Sequence, residues 1–195
     1  SALNLKYTNG QIIVNPATLT VTTESDTKAY DGTALTAGGN VSGLVKDEKV
    51  AFRTTGSQIT VGISQNTYEI NWESEETTAK QSNYTIQENL GTLEVTEYAN
   101  EIEVVTTGGE YTYDGTAHGA TVQVNGLPKD YTVQTAQSNA SVTDATTEAV
   151  TATADQLVIL NDQGEDVTSA LNLKYTNGQI VVNPATLTVT TESDT

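Results

Sequence analysis

The only histidine, His118, is the first place to look for catalysis. A nucleophile–base pair or a histidine-bearing metal centre wants a partner such as cysteine or a second histidine, and the chain has neither. Leu35 occupies the position matching His118 in an internal repeat, so packing explains the histidine better than chemistry does. A pair of carboxylates at a defined separation in a cleft could hydrolyse a sugar, and Glu110 with Asp114 form the candidate pair. Modules of about 85 residues rarely hold such a cleft. The run NDQGED gathers oxygen ligands around Gly164, and Asn161, Asp162 and Asp166 are the residues that would bind calcium. The full calcium-loop spacing is missing, and a solvated hairpin turn explains the run equally well. Glu73, Glu75 and Glu76 read as an exposed helical face, with Glu76 four residues before Lys80. No catalytic residue, metal or cofactor is expected.

The motif that recurs is Tyr30-Asp31-Gly32, which returns as Tyr113-Asp114-Gly115. A recurring triplet tempts a ligand-binding reading. A structural one is stronger: the tyrosine caps the core, the aspartate accepts hydrogen bonds from turn amides and the glycine takes positive φ. The glycines that open the last strand of each module, Gly91 and Gly178, belong to the same structural set.

These motifs keep one frame. YDGTAL and GLVKD in the first half return as YDGTAH and GLPKD, both 83 residues later. A second and longer period is overlaid on it, because residues 1–27 recur at 169–195 with Ile13 replaced by Val181 as the only change. The chain therefore reads as one period of an alternating series of modules A and B, cut out of phase. Residues 1–16 are the C-terminal strand of a preceding B, 17–97 module A, 98–187 module B, and 188–195 the first strand of a following A.

Threonine and valine are the commonest residues, tyrosine is the main aromatic, and long helix-forming runs are almost absent, which predicts an all-β fold. ATLTVTT from Ala17 alternates as a half-buried strand, and further strands are expected at VAFRTT, SQITVG, TYEINW, YTIQ and TLEVTE, then at EIEVV, YTVQT, AVTATA, QLVIL and QIVV. Asp31-Gly32 supplies a tight reversal. Helical turns are expected at ESEETTAKQ and DVTSALN. Short strands between Gly, Asn and Asp turns argue two small sandwich-like modules, Ig-like or β-grasp-like, arranged end to end. The junctions EVTEYANEIEV and VVNPATLTV are short and β-rich, and Pro16 and Pro184 stiffen one of them, which implies a semi-rigid rod.

The net charge of -17 falls on both modules. Such a surface repels phosphate backbones and anionic lipid, which argues against nucleic acid and membrane surfaces as partners, and it keeps linked copies apart. With no cysteine there is no disulfide framework. No apolar run reaches the roughly 18 residues of a membrane helix, and no signal peptide is evident.

YDGTAL followed by GLxKD, together with SNYTIQENLGTLEVT, resembles the YDG and MBG-type tandem repeat domains of large bacterial surface adhesins. The matching residues are Tyr30, Asp31, Gly32, Asn83, Tyr84, Gly91 and Leu93 in A, with Tyr113, Asp114, Gly115 and Gly178 in B; where A has NYTI, B has LNLKY. The resemblance implies an extracellular, secreted, cell-wall-attached stalk that carries no catalytic residues. Surface proteins of this kind sometimes staple a domain with a Lys–Asn isopeptide bond, for which Lys28 and Asn89 would be the pair in A. Two functions follow as expectations: a spacer projecting a binding head, its partners being neighbouring copies of the repeat, or weak multivalent binding of host glycan or mucin.

Overall fold

The computed structural model describes residues 3–191. It is all-β. The strands are β1 (Ala17–Thr23), β2 (Asp26–Ala29), β3 (Gly39–Ser42), β4 (Ala51–Thr54), β5 (Gly62–Gln65), β6 (Tyr68–Asn71), β7 (Tyr84–Asn89) and β8 (Thr92–Thr96). They continue as β9 (Glu101–Thr107), β10 (Gly109–Thr112), β11 (His118–Gly119), β12 (Thr121–Asn125), β13 (Thr132–Gln137) and β14 (Ser141–Val142). The last four are β15 (Val150–Ala152), β16 (Gln156–Leu160), β17 (Asn172–Thr176) and β18 (Gly178–Asn183). Two short 3-10 turns, Gln81–Asn83 and Thr168–Ala170, precede β7 and β17.

The chain divides into two compact units, the first running to Lys28 and resuming over Thr33–Val95, the second comprising Ala29–Gly32 and everything from Thr96. Both follow one strand plan. In the first, β1 lies between antiparallel β3 and parallel β7; in the second, β9 lies between antiparallel β12 and parallel β17. The register repeats as well, since Val21 faces Val41 as Val104 faces Val124. A second sheet, β2-β8-β5, has its counterpart in β10-β18-β15, and the pair β4-β6 has its counterpart in β13-β16. Even the isolated bridge between Leu35 and Gln58 returns as the short pairing of His118 with Val142.

Alternation explains why β1 and β9 occupy sheet centres. Leu19, Val21 and Thr23 point inward from β1, and Ile102, Val104 and Thr106 do so from β9, all buried. In the first unit Leu19 packs with Ala79 and Tyr84 against Val41, Leu44, Ile70 and Trp72. In the second, Ile180 and Val182 of β18 pack with Ala152 against Tyr111, Ala140 and Val142. Each fully buried aliphatic side chain contributes about 1.5–3 kcal/mol, and neither unit has many of them.

Several expectations change. The Asp31-Gly32 reversal closes no hairpin, because β2 joins the sheet of β8 while β3 joins that of β1, so the turn carries the chain between sheets. ESEETTAKQ forms successive turns capped by Asn71 and Ser74, and the helical turn comes later, at Gln81–Asn83. The strand expected from Ser57 begins at Gly62 instead. Residues 3–16, the sequence copy of β17 and β18, contain no strand, and Leu3, Tyr7, Ile12 and Val14 are at least 79 % exposed. Residues 188–191 likewise contain no strand, and the rest of the segment expected there, Glu192–Thr195, lies outside the described residues.

Candidate functional site

The Tyr-Asp-Gly turns are where sequence recurrence and structure can be compared most closely. Their backbones match: the Tyr30 N–H donates to the Thr96 carbonyl and the Tyr113 N–H to the Asn183 carbonyl, both at 2.8 Å. These acceptors are equivalent, lying at the ends of β8 and β18. Gly32 and Gly115 sit at φ +78° and +76°, the left-handed conformation that a Cβ disfavours. Asp114 accepts from the Thr116 N–H at 2.8 Å and its hydroxyl at 2.7 Å, and these bonds hold its carboxyl below the usual aspartate range.

The side chains of the two tyrosines part company. Tyr30 is buried at 6 % exposure, whereas Tyr113 is 43 % exposed and does not cap a core. The cause is what covers them. Ala29–Gly32 belongs to the second unit, where Tyr30 hydrogen-bonds with Tyr131. Burial pushes the Tyr131 hydroxyl above its ordinary range, with Tyr30, Asp162 and Tyr98 adding to the shift. Tyr98 is fixed there by its N–H bond to the Ala170 carbonyl at 2.8 Å. Tyr98 and Tyr131 are tyrosines only in the second repeat, where the first has Asn15 and Glu48. That mismatch was the one signal that could have revealed the seat.

Gly91 and Gly178 serve close approach. A Cβ on Gly91 would lie 2.3 Å from the Glu24 carbonyl carbon, and one on Gly178 would lie 2.7 Å from both the Gly108 nitrogen and the Thr106 oxygen. Beside Gly91 is a latch that sequence reading missed. The Thr23 hydroxyl donates to the Asn66 carbonyl at 2.7 Å and accepts from the Gly91 N–H at 2.9 Å. The fully buried Asn66 amide donates to the Glu24, Ala37 and Gly38 carbonyls.

The residues suspected of chemistry are engaged in local structure. His118 stacks on Tyr111 with ring centroids 4.0 Å apart and reaches Asp114 at 3.1 Å. Glu110 accepts instead from Asn183 at 2.8 Å, so the candidate carboxylate pair has separate partners. In the suspected calcium loop the Asn161 side-chain oxygen accepts from the Gln163 and Glu165 N–H groups, and Asp166 accepts from the Thr168 N–H and hydroxyl. The Thr168 bonds hold the Asp166 carboxyl below its usual range. Asp162 accepts from Gln163. These bonds and the Leu160–Asp166 bridge make the run a hairpin turn. Among the described residues no three His, Cys, Asp or Glu side chains gather as metal ligands. Lys28 donates to Thr33 at 2.7 Å from one sheet, whereas Asn89 ends β7 in another, so the suspected isopeptide pair is divided between sheets.

Two surface cavities are shallow in chemistry, as is a third of about 510 Å³ lined by Glu97, Asp166, Thr168, Leu171 and Tyr175. One of about 480 Å³ is lined by Val50, Phe52, Arg53, Glu69, Asn71 and Glu76. Arg53 and Glu69, cross-strand partners on β4 and β6, form an ion pair on its wall. A second of about 310 Å³, lined among others by Asn15, Pro16, Val45, Glu48 and Tyr84, lies at the start of β1 and β7. Among the described residues no helix is long and apolar enough to cross a membrane. No protein-family model, curated protein or solved structure matches the chain.

Proposed function

We propose that the chain is a non-catalytic structural repeat, a stalk or spacer segment of a bacterial surface adhesin that projects a binding head from the cell wall. One observation carries this reading: a single strand plan is built twice, and what the two copies share is core, turns and close-approach glycines. The chemistry-bearing positions do not repeat. His118 stands for Leu35, and Tyr131 for Glu48. A catalytic or lectin site multiplied along an array keeps its polar cluster from copy to copy, because each copy must meet the same ligand. The YDG and GLxKD motifs support the surface-adhesin context, and the acidic charge of both modules suits many linked copies in solution.

Glycan binding is the rival function. Its best seat is the cavity by Phe52 and Arg53, yet the equivalent β13 positions are Thr135 and Ala136, so a second module would not reproduce it. A glycan and mucin array probed with two linked 168-residue periods tests the choice. The spacer reading expects no saturable signal at sugar concentrations on the order of 1 mM, the weak end of specific recognition. Saturable binding abolished by Phe52→Ala would replace it with the binding one.

A further inference from the structure

Asparagine followed by glycine is the pair in which a backbone reacts most readily with its own side chain, because a residue without a Cβ leaves its amide nitrogen unscreened and free to turn. The chain has three such pairs, Asn9-Gly10, Asn125-Gly126 and Asn177-Gly178. The last two lie in the same unit and differ in how the glycine is held. Gly178 is buried in β18 opposite Ala152, and a Cβ there would lie 2.7 Å from both the Gly108 nitrogen and the Thr106 oxygen, so its nitrogen has no room to move. Gly126 is exposed, one residue beyond the end of β12 at φ +84°, and the nearest atom to a Cβ would be the Glu101 carbonyl oxygen at 3.4 Å. Asn125 is exposed too, and among the described residues nothing bonds its side-chain amide. At Asp114-Gly115 the same attack meets a carboxylate tied to Thr116 and His118, and an ionised carboxyl is a poor electrophile.

We propose that Asn125 is a site of spontaneous covalent modification, deamidating through a cyclic imide formed with Gly126. The Gly126 nitrogen loses its proton to solvent base and attacks the Asn125 side-chain carbonyl carbon. A new C–N bond closes the ring, the bond to the side-chain nitrogen breaks, and that nitrogen takes up a proton and leaves as ammonia. Water then opens the imide at either carbonyl, giving aspartate at one and isoaspartate at the other; water is the only co-reactant. The place of Asn125 in the sheet gives the product a consequence. Asn125 faces Glu103 directly across the β12–β9 pair, so the new carboxylate sets like charge against like charge, which destabilises a sheet. Lys174, the β17 partner of Glu103, is already engaged by Glu101 at 2.9 Å. Isoaspartate also lengthens the backbone where the strand ends and Gly126 turns the chain. In the repeat frame Asn125 corresponds to Ser42, which has no amide to lose, so in an alternating array the B modules carry this site and the A modules do not.

Peptide mapping by mass spectrometry of the whole chain, incubated at mildly alkaline pH with and without urea, follows each asparagine separately. In the folded chain Asn125 should convert at least tenfold faster than Asn177, with aspartate and isoaspartate both appearing, and in urea the two rates should converge because the restraint on Gly178 is gone. Asn125→Ser, which copies Ser42, should abolish conversion at that position and leave the urea midpoint of the fresh chain unchanged. Asn125→Asp, which installs one of the products, should lower that midpoint. An Asn125 that stays intact while the chain is folded, or that converts no faster than Asn177, would overturn the proposal. An unchanged midpoint in Asn125→Asp would overturn the consequence drawn from Glu103.

Discussion

Thr23 and Thr106 hold one position in the repeat and meet different surroundings. Thr23 is bonded on both sides, to Asn66 and Gly91. Thr106 is equally buried, but its hydroxyl has no hydrogen-bond partner among the described residues, and Ala152 stands where Asn66 stood. Replacing a bonded buried hydroxyl strands its partners, whereas replacing an unbonded one removes a desolvation cost. Thr23→Val is therefore expected to destabilise the chain by about 1–3 kcal/mol, and Thr106→Val to be neutral or stabilising, both read from urea unfolding. The Tyr68 hydroxyl gives a pH-dependent test. Burial, and then its bond to Glu88, push it from the ordinary 10.0 to about 12. A folded state that holds this proton more tightly is stabilised below pH 10 and loses that stabilisation as pH rises toward 12. Tyr68→Phe should flatten the stability profile between those values, and a profile that stays parallel to the wild type would contradict the assignment.

Elements show where sequence reading succeeds. Strict alternation identified β1, and β4, β6, β8, β9 and β16 followed from β-branched and aromatic runs, because one face of each strand had to be apolar. β3, β10 and β12 escaped notice. GNVS and GEYT are short, polar and glycine-opened, and their pairing is dictated by the neighbours β1 and β18. The Tyr30 seat was illegible because it joins residues far apart in the chain; the backbone roles of Gly32 and Gly115 were legible because a turn imposes them locally. The sharpest lesson is that NLKYTNGQIVVN forms β17 and β18, while its near-copy at residues 4–15 forms no strand. Strand formation here is supplied by partners: β9 for β17, and β10 with β15 for β18. Hydrogen exchange should show slow amides at Leu173, Ile180 and Val182 and fast ones at Leu5, Ile12 and Val14. Equal protection in both copies would mean that the first has found a partner of its own.

At the scale of the whole molecule, the proposed spacer reading rests on a strand plan repeated with shared core and turns but divergent chemistry. The β-rich junctions between modules contain no Gly/Ser tether, so added copies should add length. The most direct measurement is the maximum dimension, by small-angle scattering, of chains carrying one, two and three 168-residue periods. A spacer predicts equal increments, roughly 60 Å per period by the size scaling of compact domains. A maximum dimension that rises only weakly from one period to three, as in a single collapsing globule, would contradict the account.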